Sequence, residues 1–252
     1  MLTKNQIKYL RSLQQGKYRK MHQQFVAEGV KVVSDLIASC YPIEHIYATE
    51  EWIPPTHVSA ETEITTISQN DLQRISSLKN PQQVLAVCKI MKSPEINELQ
   101  NEAQHNLILF LDAVRDPGNL GTIIRTADWF GIKHIVCSND TVDYTNPKVV
   151  QSTMGAVASV NIYYTEPELF FSFIPETLPV YGLFLQGEKI NNIKDKNSGI
   201  IIIGSESHGI GKKAEKYVTH RITIPSPTPQ NTNSESLNAS IAAAIAMYHF
   251  RY

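Results

Sequence analysis

The chain has 252 residues, 42% of them apolar and 19% charged, enough to bury one large core or two modest ones. Twenty-three basic against 24 acidic side chains give a formal net charge of −1, which excludes a global electrostatic case for nucleic-acid binding. Cys40, Cys88 and Cys137 are isolated, with no C-x-x-C spacing, so neither a disulfide framework nor a metal site is predicted.

The first segment, "KNQIKYLRSLQ", carries Ile7, Leu10 and Leu13 at helical spacing. It is polar at its start and has no apolar core like that of a signal peptide, and no later run approaches the roughly 18 apolar residues of a membrane span. A cytoplasmic protein without a membrane partner is expected. Charge is uneven: residues 1–40 hold seven basic side chains against only Glu28 and Asp35. Lys17, Arg19 and Lys20 form the densest local cluster, read either as a solvated helix face or as a contact for an anionic partner.

"EGVKVVSDLIAS" repeats the helical pattern with Val32, Val33, Leu36 and Ile37. Three strand-like runs follow, "IEHIYAT", "EITTIS" and "QQVLAVCKI", with a helix capped by Ser68 between the last two. Residues 1–92 therefore read as a small α/β domain. The polar stretch 93–105 reads as a linker, and residues 106–252 as a second domain.

In that second domain the apolar runs "NLILFLDAV", "IKHIVCS", "VNIYY", "VYGLFLQG", "GIIIIGS" and "HRITIP" alternate with helical segments. This pattern predicts a parallel sheet covered on both faces, with ligands gathering beyond the carboxyl ends of its strands. Three loops at such ends stand out. The first is "DPGNLGTIIRTADWFG", where Arg125 sits between Ile123, Ile124 and Ala127 and so calls for a partner or a task. The second is "IIIIGSESHGIGKK", which fails as a phosphate loop because Glu206 and Lys213 stand where glycine and a hydroxyl residue belong. A carboxylate there suits a guanidinium, so Glu206 is expected to pair with Arg125. The third runs from "ITIP" to "SLNASIAAAI". Taken singly, each loop has an ordinary reading as a turn, a strand end or a helix cap.

Together the loops resemble the three motifs of the SpoU (TrmH) family of RNA ribose methyltransferases, within the SPOUT superfamily. The first motif corresponds to Asn119, Gly121, Arg125, Thr126 and Ala127, and the second to Gly204, Glu206 and Gly209. The third corresponds to Ile224 and Pro225, then Ser236, Leu237, Asn238 and Ser240. The N-terminal region resembles the substrate-binding domain, itself similar to RNA-binding ribosomal proteins, that precedes the methyltransferase domain in many members.

The resemblance implies an α/β fold whose C-terminal domain carries a deep trefoil knot, a homodimer, and S-adenosyl-L-methionine as cofactor. It implies methyl transfer to a ribose 2′-hydroxyl of structured RNA, ribosomal RNA favoured. A tRNA enzyme and a non-catalytic RNA-binding dimer are the alternatives. Catalytic roles carry over to Arg125, Asn119, Glu206, Ser236 and Asn238, and cofactor contacts to Gly204, Ile224, Leu237, Gly209 and Leu183. RNA contacts are assigned to Lys17, Arg19 and Lys20. The family's proposed base is the motif-one arginine, but arginine stays protonated in proteins, so a phosphate clamp is the physically favoured role for Arg125. One departure stands out: residues 225–235 replace the family's shorter I-P-M-x-G linker and lack its glycine.

Overall fold

The structure is a computed structural model that describes residues 1–93, 95–194, 198–226 and 236–252. The chain divides into two compact units, Met1–Lys92 with Asp143–Ser159, and Ser93–Val142 with Val160–Tyr252.

In the first unit, α1 (Lys4–Ser12) begins at Thr3, which forms a capping box with Gln6. Then come α2 (Gly16–His22), β1 (Gln24–Glu28), α3 (Val30–Ala38), β2 (Ile43–Ala48), β3 (Glu63–Thr66), α4 (Gln69–Ile75) and β4 (Val84–Lys89). The strands order β1-β4-β2-β3, with β4 antiparallel to both neighbours and β2 parallel to β3. Side-chain alternation along β1 feeds two cores. Phe25 and Ala27 pack with Val32, Val33, Leu36 and Ile37 of α3, whereas Val26 packs with Ile7 and Leu10 of α1 and Leu72 and Ile75 of α4.

The second unit opens with α5 (Leu99–His105), β5 (Leu107–Leu111), α6 (Pro117–Trp129) and β6 (His134–Cys137). The chain then returns to the first unit as α7 (Pro147–Thr153), where Val150 and Val157 join the core beneath α3. It re-enters the second unit as β7 (Asn161–Tyr164), α8 (Pro167–Ser172), β8 (Val180–Lys189), β9 (Gly199–Ile203), α9 (Lys212–Glu215), β10 (His220–Thr223) and α10 (Ala239–Arg251). These six strands order β10-β8-β9-β5-β6-β7, every neighbouring pair parallel. All five residues of β5 and all five of β9 are buried, as a sheet covered on both faces requires.

Two boundaries differ from those expected. Residues 93–105 are not a bare linker: Leu99 and Ala103 of α5 are buried in the second core beside Ile108 and Phe110. Residues 143–159, read as part of the second domain, belong to the first unit. The reason is burial and charge together. Arg19, the residue expected to contact RNA, is only 3% exposed; its guanidinium donates to Thr145 Oγ1 (2.8 Å), Asp143 Oδ2 (2.6 Å) and the carbonyls of Leu13 and Gln14. Burial raises the affinity of Asp143 for its proton, but hydrogen bonds from Thr145 and Arg19 overcome this and hold the carboxyl below its usual range. Gly155, at φ +94°, lies so close to Asp35 that an added Cβ would stand 2.5 Å from the Asp35 Cβ. The sequence also gave no signal for α2 or β1 as separate elements, although α2 is bounded by the left-handed Gln23.

Candidate active site

The second unit's sheet presents its carboxyl edge as a row of loops. At β9 the chain leaves Ile203 through Gly204, where an added Cβ would fall 2.1 Å from the Gly209 backbone. Only glycine lets the loop fold back so tightly, and Ser205 and Gly209 exchange backbone hydrogen bonds of 2.9 and 3.0 Å across it. That hairpin holds Glu206 at the rim.

Glu206 is the junction of the three loops. Its Oε1 accepts from Asn119 Nδ2 (2.8 Å), Asn238 Nδ2 (2.6 Å) and the Ala239 amide (3.3 Å). Asn238 Nδ2 also donates to Asn119 Oδ1 at 2.9 Å. Both asparagines sit at helix starts. Asp116 caps α6 by accepting from the Asn119 amide, with Pro117 at the first helical position. Asn238 caps α10, its Oδ1 accepting from the amides of Ser240 and Ile241. The motif residues Asn119, Glu206 and Asn238 are thus brought together. Glu206 Oε2 has no hydrogen-bond partner among the described residues.

Arg125 does not join them, which corrects the expected Glu206 pairing. It lies six residues beyond Asn119, about 9 Å along the helix axis and roughly 120° around it, so its side chain leaves on another face. Ile123, Ile124 and Ala127 are buried, whereas Arg125 and Trp129, one turn apart, are exposed, Trp129 by 83%. Arg125 has no ion pair or hydrogen bond among the described residues. Ser236 is exposed and has no hydrogen bond to the junction among the described residues.

Leu183 follows the stretch of β8 that pairs with β9, and Gly204 and Ile224 follow β9 and β10, the three strands being adjacent. Leu183 and Ile224 are half-buried, and Leu237 is 47% exposed. Gly209, at φ +66°, has no atom within 4 Å of an added Cβ. Partly exposed apolar side chains beside open backbone are of the kind an adenosyl group requires. The longer linker falls largely on residues 227–235, outside the described residues.

Beyond the other strand ends, those of β9, β5, β6 and β7, lies a cleft of about 640 Å³. Asn119 and Glu206 line it, as do Asp112, Arg115, Asn139, Asp140, Glu166 and Lys213. Asp112 Oδ2 accepts from the Gly211 amide at 2.7 Å and so fixes the start of α9. Glu166 Oε1 accepts from Asn139 Nδ2 (2.9 Å) and Oε2 from Lys213 Nζ (3.1 Å). Those two hydrogen bonds, Asn139 first, hold the Glu166 carboxyl below its usual range, and Glu166 in turn raises Lys213. Both are therefore charged at neutral pH. Sequence reasoning missed this group. Its signal was the strand-end rule itself, applied to the loops after β6 and β7 as well as to the three motif loops.

Comparisons with known proteins identify the family. The SpoU rRNA Methylase family model matches residues 106–248, and an MRM3-like substrate binding domain model matches residues 4–86. The chain is 30% identical over 251 residues to the 23S rRNA (guanosine(2553)-2′-O)-methyltransferase RlmP of Bacillus subtilis (strain 168), covering 98% of this chain and 97% of that one. A structure assigned to the TrmH family of RNA methyltransferases, from Porphyromonas gingivalis, is 36% identical with a TM-score of 0.87, covering 100% of this chain and 98% of that chain. An AdoMet-bound rRNA methyltransferase from Sinorhizobium meliloti is 27% identical with a TM-score of 0.86, covering 100% and 95%. Motif residues in order, a matching fold and a family match over more than half the sequence lead to one conclusion: the chain belongs to the SpoU rRNA methylase family.

Proposed function

We propose that the chain transfers a methyl group from S-adenosyl-L-methionine to a ribose 2′-oxygen in ribosomal RNA. The observation that carries this reading is the Asn119–Glu206–Asn238 junction, which ties three motif loops together between the apolar strand ends and the cleft. The cofactor supplies an electrophilic methyl group on a sulfonium. Leu183, Ile224 and Leu237 would give it apolar contact, and the backbone at Gly204 and Gly209 would hold it by close approach. A trefoil knot in the methyltransferase domain is part of this reading.

The chain's own residues orient the acceptor. A ribose hydroxyl is a weak nucleophile until its proton leaves, so it has to be aimed and hydrogen-bonded. Glu206 Oε2 accepts from the 2′-hydroxyl, while the two asparagines keep the carboxylate from turning away. With the methyl group supplied by bound S-adenosyl-L-methionine, the proton displaced from O2′ would pass to solvent. Arg125, exposed and without a partner in the described residues, clamps the adjoining phosphate through its planar fork. Ser236 positions the nucleotide beside it.

RNA also meets the first unit through phosphates. Lys17 and Lys20 are exposed, as are Lys4, Lys8 and Arg11 of α1, whereas Arg19 is committed to Asp143 and takes no part. A homodimer is supported by a second apolar stripe on α10: Ile241, Ile245, Tyr248 and Tyr252 are 50%, 36%, 61% and 81% exposed, and Trp129 adds to it from α6. A cytoplasmic site of action accompanies this reading; no helix among the described residues is long and apolar enough to cross a membrane.

Two measurements test the proposal. Ribose-methylation mapping of total RNA from a deletion strain is expected to lose one signal in ribosomal RNA, restored by the wild-type gene. Calorimetry is expected to detect S-adenosyl-L-methionine binding to the purified chain. A loss confined to tRNA would replace the substrate. Absence of binding at millimolar cofactor would leave the RNA-binding dimer as the better account.

A further inference from the structure

The cleft lies on the side of the Asn119–Glu206–Asn238 junction away from Leu183 and Ile224. It is open, lined by polar and apolar surface together, and large enough for a nucleoside. Its walls come from four neighbouring strand ends, and the Asn139–Glu166–Lys213 group belongs to three of its loops. Asn139 follows β6, Glu166 stands at the N-cap position of α8 after β7, and Lys213 lies on α9 after β9. An exposed Lys–Glu pair contributes little to stability, so stability alone gives no reason to gather it with an amide here.

We propose that the Asn139–Glu166–Lys213 group reads the base of the acceptor nucleotide and selects guanine. This rests on the methyl-transfer reading above and extends it to the substrate. The Watson–Crick edge of guanine presents two adjacent donors, N1–H and N2–H, beside the O6 acceptor. A carboxylate offers about four lone-pair positions, so Glu166 accepts both guanine donors while retaining Asn139 and Lys213. Lys213 has three N–H groups, one directed at Glu166, and donates another to O6. No other base matches. Adenine and cytosine set one donor group beside an acceptor, and uracil sets a single donor between two acceptors. Each would place an acceptor against the Glu166 carboxylate, which stays ionised because its two partners hold it so.

The test uses the full-length protein and RNA transcripts spanning the nucleotide found by ribose-methylation mapping. That nucleotide is expected to be a guanosine. Replacing it with A, C or U is expected to lower kcat/KM by about tenfold or more, the loss of one bidentate base contact. Glu166→Gln is expected to reduce that discrimination to about threefold or less while S-adenosyl-L-methionine binds as in wild type, because an amide accepts through one oxygen only. Lys213→Met is expected to narrow it too, through O6. A mapped nucleotide other than guanosine overturns this assignment and leaves the methyltransferase reading standing. An unchanged base preference in both variants overturns it equally. Loss of no methylation together with no cofactor binding removes the underlying reading and this one with it.

Discussion

Two arginines, one in each unit, behave opposite to their local sequence. Arg19 lies in a run of cations and looks solvent-facing, yet it is 3% exposed and bonded to four partners. Arg125 lies among isoleucines and looks paired, yet it is exposed and unpartnered among the described residues. The difference teaches that helical phase, more than nearest neighbours, sets a side chain's surroundings. Arg125 occupies the polar arc of α6, whose Ile123, Ile124 and Ala127 face inward. Arg19 points at a segment more than 120 residues away in sequence, a partner no local pattern announces.

The contrast can be broken most sharply by exchanging stability for activity. Arg19→Ala is expected to lower the stability of the first unit by about 2 kcal/mol in urea unfolding, since it empties a buried guanidinium site and leaves two carbonyls and the half-buried Asp143 carboxylate without their donor. Arg125→Ala is expected to shift the same transition by less than about 0.5 kcal/mol. An Arg19→Ala protein as stable as wild type would show that the buried pair is dispensable.

For catalysis the order reverses. Arg125→Lys is expected to lose about 100-fold in methyl transfer, or about 2.7 kcal/mol, because lysine keeps the charge without the fork. Cofactor affinity measured by calorimetry stays as in wild type. Turnover near the wild-type rate in that variant would remove Arg125 from the mechanism altogether.

A smaller effect is expected at the contact that seats the returning segment. Gly155→Ala places a methyl group against Asp35 at a left-handed φ, and is expected to cost about 1–3 kcal/mol by thermal or urea unfolding. An equal cost from alanine at Gly209, which has open space around it, would point to backbone strain alone.

The smallest expected effect is on pH. The Asp143 carboxyl is held below its ordinary value of about 3.9, so its contribution to stability is fully present above that pH. It is lost as pH falls through the lowered folded-state value. Asp143→Asn is therefore expected to flatten the acid limb of stability against pH, and an unchanged limb would assign acid sensitivity to other carboxylates.

Much of the second unit was legible in the sequence. Its six strands are short apolar runs bounded by turn residues, and a buried parallel sheet imposes that composition on each strand separately. Asn119, Glu206 and Asn238 were legible as site residues because glycine, caps and strand ends leave local marks. Their mutual bonding was not, nor was the Glu166 group, since each contact joins loops far apart in the chain. In the first unit β1 was hidden because it runs almost directly from α2 into α3 with no turn cluster to mark it off, and the membership of residues 143–159 by distance in sequence.

The excursion of the chain from β6 through α7 to β7 has a consequence for biosynthesis. The first unit is not a consecutive stretch, so a ribosome that has delivered residues 1–92 has not delivered Asp143, Thr145, Val150 or Val157. Arg19 then has no carboxylate, and the apolar face beneath α3 has no cover. Completion waits until residue 159 has emerged, several seconds later at about 5–20 residues per second. By then β5 and β6 of the other unit have already been made, so the N-terminal unit starts first but cannot finish until part of the other unit is in place.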